Sequence, residues 1–462
     1  MKTIKIGYLP LYIKLYDDSD PHYRDPMVAH MQLLVSMLEQ QGLEVVRADV
    51  CRIKPEFEAA AKLFNDADVD AVVTQHLAYS PSLESIDALL SIQAPLIVFD
   101  TTPDYELIAR AADYNGIDQN HGIHGVQDMC NLLKQHGRSY ELCVGHALHS
   151  DVVREVAGCC RAAAAKKAFQ NARVGTVGGS FDGMGDFFVS PEYYRESIGA
   201  EVFSMDADTA KRYVSAVTEE QVEQEIAWDK AHFTDEISDR ENYRKSIVSG
   251  LAVRAWAEDN RLTACTINFL SLDRCGLPKM PFAEASKMLQ RGMGYAGEGD
   301  VLTAGLVGAL HSVYQDTTFV EVFCPDWKED VLLMSHMGEC NLDLAQWKPT
   351  LRNVPFNYNS CGDTAAAYLC MRPGKAILVN LAPMAGKYSM ILSLVEMLNA
   401  GLEYGAYRNE IQGWCKPAKP LRTFLKEYSL AGGTHHSAMV YNVELAEMET
   451  FARMMGFDVV IL

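Results

Sequence analysis

From Ile4 to about Ala163 the chain alternates short apolar, β-rich runs with helical patterns, and no other feature restricts its folding so strongly. Strand-like runs at 4–11, 44–50, 70–74, 95–100 and 141–145 are interleaved with helical patterns at 27–41, 56–64 and 83–90. That rhythm is satisfied by a parallel sheet covered by helices. It restarts at Ala172-Arg173-Val174-Gly175-Thr176-Val177-Gly178-Gly179, which puts a second α/β unit after residue 170. Beyond about residue 317 the texture becomes strands and turns, at 318–323, 331–337, 375–381, 388–392 and 439–442, before a helix at 443–455 and a last strand at 457–462. The chain's 462 residues are too many for one ordinary core. The expected architecture is two Rossmann-like parallel-sheet α/β domains, 1–170 and 171–317, followed by a β-rich, barrel-like C-terminal domain, 318–462.

Ligands of such sheets collect at the carboxyl ends of the strands. His76, His124 and His146 fall where the first unit's strand ends should be, and each reads either as a ligand contact or as a loop or capping residue. In the second unit the strand at 174–177 runs into glycines and then Phe181-Asp182-Gly183-Met184-Gly185. That segment lacks the Gly-x-Gly-x-x-Gly spacing of a dinucleotide site and no acid follows at the right strand end, which rejects a nicotinamide cofactor there. The acid-rich helical stretch 209–260 reads as a solvated face.

A net charge of −20 opposes nucleic acid or an anionic membrane as partner, because both require a basic footprint. No apolar run approaches the ~20 residues that cross a bilayer. The opening Met1-Lys2-Thr3-Ile4-Lys5 lacks the apolar region of a secretory signal, so a cytoplasmic location is the default expectation. Twelve cysteines without a Cys-x-x-Cys pair read as reduced, mostly buried residues, Cys159-Cys160 included.

The chemistry concentrates late in the chain. Gly294-Tyr295-Ala296-Gly297-Glu298-Gly299-Asp300 sets two carboxylates among glycines just before an apolar helical run. A carboxylate there can bind a cation or move a proton, and the same letters also spell a tight turn with Asp300 as helix cap. Glu321 and His336 are polar residues inside apolar strands and need a partner. An ion pair or a satisfied core histidine would serve them as well as a ligand role. Gly432-Gly433-Thr434-His435-His436 presents adjacent imidazoles, of which an extended chain turns only one to a shared site. Two carboxylates and two imidazoles with open positions suit Mn²⁺, Co²⁺ or Fe²⁺ better than a closed structural zinc site, and Mg²⁺ favours more oxygen ligands.

Taken together, Gly292-Met293-Gly294-Tyr295-Ala296-Gly297-Glu298-Gly299-Asp300, Thr318-Phe319-Val320-Glu321, Ser335-His336-Met337 and Leu430-Ala431-Gly432-Gly433-Thr434-His435-His436 resemble, in order, the L-arabinose isomerase and L-fucose isomerase superfamily, and its arabinose branch more. The resemblance covers nearly the whole chain. It implies an aldose–ketose isomerase in which Glu298, Glu321, His336 and His436 bind a divalent metal, Mn²⁺ first and Co²⁺, Fe²⁺ or Mg²⁺ as alternatives. Glu298 and Glu321 would double as the acid and base pair, because carrying a proton from C2 to C1 through an enediol needs both. It further implies sugar contacts from His435, His124, His76 and Met184, and a homo-oligomer, trimer or hexamer, with the site at a subunit interface.

The sequence departs from the arabinose branch after the first strand, which continues Pro10-Leu11-Tyr12-Ile13-Lys14-Leu15-Tyr16 with Arg24 beyond, and after Glu321, where Val322-Phe323-Cys324 follows. The sugar-reading surface is therefore expected to differ. A 6-deoxy or 6-sulfonated hexose is one alternative, with Lys14 or Arg24 meeting an anionic substituent, and an epimerase or lyase on the same scaffold is another.

Overall fold

The computed structural model describes residues 3–108, 114–399 and 412–462. Its first compact unit spans Met1–Lys167. Strand β1 (Ile4–Leu11) is buried along nearly all its length, as a strand covered on both faces must be. With β2 (Leu43–Arg47), β3 (Ala71–His76), β4 (Leu96–Asp100) and β5 (Tyr140–Val144) it forms a wholly parallel sheet in the order β2-β1-β3-β4-β5. The helices Asp25–Gln40, Lys54–Asp66, Ser82–Ser91 and Ile123–Gln135 supply crossovers, and Leu9, Phe57, Phe64, Val72, Leu89, Val98 and Leu133 share one core. The order reverses between β1 and β3, so the carboxyl ends of those strands open onto a crevice.

The second compact unit, Ala168–Leu462, holds two further architectures. Strands β6 (Arg173–Val177), β7 (Glu201–Met205), β9 (Ala264–Ile267) and β10 (Gly294–Gly297) make a parallel sheet in the order β10-β9-β6-β7, while β8 (Thr234–Glu236) pairs elsewhere. After β10 the helix Val301–His311 is buried at every residue, as an apolar, unstriped sequence requires. It touches the parallel sheet through β9 and β10 and the following strands β11 (Thr317–Asp326) and β18 (His436–Tyr441).

Between those two lie β12 (Val331–Met334), β13 (Thr350–Val354), β14 (Thr364–Tyr368), β15 (Gly374–Met384), β16 (Lys387–Met397) and β17 (Gly413–Pro417). Antiparallel pairing closes six strands into a ring, β15-β18-β11-β12-β17-β16 and back to β15. Closure leaves no edge in the barrel itself. Strand β19 (Asp458–Ile461) adds to β16 in parallel, and β13, β14 and β8 form a separate small sheet. The expected parallel sheets and β-rich end are thus present. The sequence reading did not single out β13, β14 or β17, since Thr364-Ala365-Ala366-Ala367-Tyr368 and Gly413-Trp414-Cys415-Lys416-Pro417 carry little of the β-branched alternation that marks a strand.

The acid-rich stretch 209–260 corrects one expectation, for its charge is not all solvated. Lys287, 3% exposed, bonds Glu225 Oε1 at 2.6 Å and also contacts Asp229, and its ammonium lies 4.9 Å from the Trp228 ring centroid. Arg254 grips Glu225 with two bonds of 3.0 and 2.8 Å and reaches Glu284 at 2.9 Å. Buried charges persist when paired this fully, and periodicity alone does not reveal a partner on another helix. All twelve cysteines are free thiols, Cys159 and Cys160 buried among them. Among the described residues no helix is long and apolar enough to cross a membrane.

Candidate active site

Three neighbouring barrel strands deliver three of the four expected ligands. Glu321 on β11 stands directly opposite His436 on β18 in the antiparallel register, so their side chains share one face. On the other side of β11 the chain leaving β12 is held by Ser335 N donating to Glu321 O at 3.2 Å, and His336 follows with Nε2 3.9 Å from Glu321 Oε2. Phe319, also on β11, meets both imidazoles edge-on, at centroid distances of 5.1 Å to His336 and 5.0 Å to His436.

The fourth comes from the parallel sheet. Glu298 follows β10 with φ of +64°, a left-handed conformation that costs a residue with a Cβ roughly 1–2 kcal/mol. Three backbone bonds hold it there: Glu298 N to Ile267 O at 3.1 Å, Phe181 N to Glu298 O at 3.0 Å, and Asp300 N to Gly297 O at 3.1 Å. Glycine is required on both sides. A Cβ at Gly297 would lie 2.5 Å from His336 Cε1, and one at Gly299, whose φ is +81°, 2.1 Å from Gly179 O. The turn sends Glu298 Oε2 to 3.5 Å from His436 Nε2 and 3.6 Å from His435 Nε2.

Both adjacent histidines therefore face one carboxylate, contrary to the expectation that only one could. His435 precedes β18 in a bend rather than lying in the strand, so the alternation of an extended chain does not govern it. His435 Nδ1 and its backbone N–H both bond Asp186 Oδ2, at 2.7 and 3.1 Å. His436 is fully buried, its Nδ1 bonded to Asp300 Oδ2 at 3.0 Å. Asp300 also caps the helix Val301–His311, accepting Thr303 N at 2.8 Å. The helix-cap role read from the sequence is present, and an orienting role is joined to it.

The two glutamates are driven apart electrostatically. Burial works to raise the pKa of Glu298, but the imidazoles of His435, His436 and His336 outweigh it and bring it down to about 2. Burial prevails at Glu321 and raises its pKa, the same imidazoles opposing it. Burial disfavours charged His435, yet Glu298 and Asp186 raise its pKa to about 9.

Sequence reasoning missed Asp186, Phe187 and Glu339. Glu339 is fully buried, takes a short hydrogen bond from His336 Nδ1 and accepts Tyr295 OH at 3.2 Å. Its three-residue spacing from His336 was the available signal. Phe187 lies flat on His436, with centroids 5.1 Å apart and planes 8° apart. It and Asp186 sit in the glycine-rich loop after β6, which also contains half-buried Met184, whose amide donates to Phe181 O at 3.3 Å.

The remaining expected residues belong to the first unit. His76 ends β3 and is 4% exposed, packed against Gly122 and Gly125, and burial pushes its pKa down to about 3 against the opposing Asp128. His124 is exposed, its Nδ1 3.4 Å from His121 Nδ1. His146 Nε2 lies 3.3 Å from Pro103 O. Lys14 is paired with Asp18, at 2.5 and 2.7 Å, and Arg24 with Asp17 at 3.1 Å. Both cations expected to meet an anionic substituent thus already have carboxylate partners within their own unit.

Two overlapping triads result, Glu298/His435/His436 and Glu321/His336/His436, each with its ligand atoms within 4.8 Å of one another. His436 is common to both, and its Nε2 is buried with no hydrogen-bond partner among the described residues. Burying a polar nitrogen without a hydrogen bond is costly, and with Nδ1 turned to Asp300 this one stands 3.5 Å from Glu298 Oε2. Oxygen and imidazole donors in this mixture fit Mn²⁺, Co²⁺ or Fe²⁺.

Comparison with known proteins agrees in extent. Residues 195–316 match the L-arabinose isomerase central domain and residues 316–458 the L-arabinose isomerase C-terminal domain, together more than half of the chain. L-arabinose isomerase 1 of Bacillus licheniformis is 23% identical over 431 residues, covering 89% of this chain and 86% of that one. The L-arabinose isomerase of Flavobacterium johnsoniae is 24% identical over 455 residues, 94% and 89% of the respective chains. That of Acidothermus cellulolyticus is 25% identical over 452 residues, 93% and 88%.

Proposed function

Given that the chain belongs to the L-arabinose isomerase family of aldose–ketose isomerases, we propose that it interconverts an aldose and its 2-ketose by moving a proton between C2 and C1 at a divalent cation held by Glu298, Glu321, His336 and His436. The observation that carries this reading is the buried His436 Nε2, which makes no hydrogen bond among the described residues and lies 3.5 Å from Glu298 Oε2, on a residue common to two triads that each contain a glutamate. When bound, the cation supplies positive charge against the negative charge that develops on the sugar oxygens. Mn²⁺ is the ion we propose, with Co²⁺, Fe²⁺ or Mg²⁺ as substitutes.

The protein's own groups do the rest. Glu298 and Glu321 approach the site from two different strands, so one carboxylate can take the C2 proton and return it at C1 while the other handles the hydroxyl proton. Asp300 and Glu339 hold Nδ1 of His436 and of His336, leaving each Nε2 free to ligate. Phe187 and Phe319 wall the imidazoles with apolar surface, which strengthens every charge interaction between them.

The substrate class is a monosaccharide aldose. Lys14 and Arg24, the two cations read as candidates for an anionic 6-substituent, are paired to Asp18 and Asp17. The family reading also carries a homo-oligomer, trimer or hexamer, which sedimentation would measure. A panel of pentoses and hexoses incubated with the Mn²⁺-loaded protein, with products identified by ¹³C NMR, tests the function. A ketose is the expected product, whereas a C2 epimer or cleavage fragments alone would replace isomerase by epimerase or lyase.

A further inference from the structure

Residues 179–187, in the loop that follows β6, touch the site at four places. Phe181 N donates to Glu298 O at 3.0 Å, and Gly179 O lies against Gly299 so closely that no Cβ would fit between them. Phe187 covers His436, and Asp186 Oδ2 receives both the backbone N–H and Nδ1 of His435. Two bonds from one residue to one oxygen fix more than contact. The backbone bond sets where the Asp186 carboxylate stands, and the ring bond then sets the rotation of the imidazole. Its far nitrogen, Nε2, is left pointing at the Glu298 carboxylate from 3.6 Å.

We propose that Asp186 is a positioning residue of the isomerisation: it locks the His435 ring so that Nε2 faces the ground beside Glu298 where a sugar oxygen is held. His435 is the group that meets the sugar, and Asp186 acts only through it. This rests on the isomerase reading. The physical basis is that a ring free to rotate about its side-chain torsions spends little time in the one orientation that serves a reacting atom, and a buttressing carboxylate removes that freedom. Because both bonds end on the same oxygen, the amide oxygen of an asparagine can accept both, so Asp186→Asn should preserve what Asp186→Ala destroys.

The test compares the full-length Mn²⁺-loaded parent with Asp186→Ala and Asp186→Asn. Expected for Asp186→Ala is a kcat lower by about 10- to 100-fold, the usual cost of losing an orienting partner. KM should move by less than about threefold, because orientation acts on the transition state. Asp186→Asn should recover most of the kcat. Mn²⁺ binding to the sugar-free protein, titrated by electron paramagnetic resonance, should be the same in all three. Proton NMR of sugar-free protein labelled with ¹⁵N-histidine should show the hydrogen-bonded His435 Nδ1–H in the parent and in Asp186→Asn but not in Asp186→Ala. Unchanged kcat in Asp186→Ala, equal losses in both variants, a parallel loss of Mn²⁺ binding, or a persisting His435 resonance in Asp186→Ala would each overturn the proposal. Failure of the parent to convert any aldose would instead overturn the isomerase reading, and the resonance would still report on the pair.

Discussion

The carboxylate of Asp300 serves two masters: Oδ2 bonds His436 Nδ1 at 3.0 Å, and Oδ1 accepts Thr303 N at 2.8 Å at the start of the helix Val301–His311. One acid thus ties the helix that leaves the parallel sheet to the strand that carries the shared imidazole.

Asp300→Asn separates the two roles. Asparagine caps helices as well as aspartate, so the thermal melt should change little. With the amide oxygen kept by Thr303 N–H, the NH₂ group faces His436 and forces Nδ1 to accept, which moves the ring proton to Nε2. Mn²⁺ affinity should fall by about 10- to 100-fold, as measured by metal titration. Equal affinity in the two proteins would show that the Asp300 bond does not set the His436 ring.

Gly297→Ala should be among the most damaging small substitutions available, because its methyl would lie 2.5 Å from His336 Cε1 and 2.8 Å from Nε2. The ring must move away from residue 297 and lose its present place beside Glu321, so metal binding and turnover should drop together. Gly185→Ala, where nothing lies within 4 Å, should leave the melt within about 0.5 kcal/mol of the parent. Calorimetry and metal titration of the pair check both statements.

Glu298→Gln and Glu321→Gln each remove one proton carrier while keeping size and shape. Turnover should fall by about 10²- to 10⁴-fold in either. Circular dichroism should be unchanged, and hydrogen exchange at C2 of the sugar in deuterated water should be lost in parallel. Full activity in Glu298→Gln would remove that residue from the chemistry.

Much of the fold is legible in the sequence. The parallel sheets follow from the alternation of β-rich runs and helical patterns, and Glu298, Glu321, His336 and His436 are incongruous where they stand, being polar among glycines or apolar strand residues. Their partners were not. Asp186 is 249 positions from His435 and Asp300 is 136 from His436, and no local periodicity encodes pairing over such separations. Glu339 lay nearer, three residues past His336, yet a lone acid at a strand end has many uses. The same blindness led to the solvated reading of Glu225 and Asp229, since Arg254 and Lys287 arrive from other helices.

That network gives a pH-dependent stability. Burial alone would raise the pKa of Glu225, but Arg254 and Lys287 bring it to about 2. A depressed carboxyl pKa contributes stability above its unfolded value of roughly 4.3, and the contribution is lost as pH falls from there toward 2. Glu225→Gln, which leaves Arg254 to Glu284 and Lys287 to Asp229, should destabilise the protein by about 1.5–3 kcal/mol at neutral pH. The gap between parent and variant should narrow as pH is lowered through that window, as read from denaturant melts. A gap constant from pH 6 to pH 2.5 would place the stabilising interaction elsewhere.

Metal-dependent proton transfer is tested most directly by isomerisation in deuterated water with protein dialysed against a chelator, before and after Mn²⁺ is returned. Expected are no ketose from the dialysed protein, ketose formation once Mn²⁺ is restored, and no recovery when the same Mn²⁺ is given to Glu298→Gln. Ketose formed at an undiminished rate by the metal-free protein, or by Glu298→Gln, would contradict it.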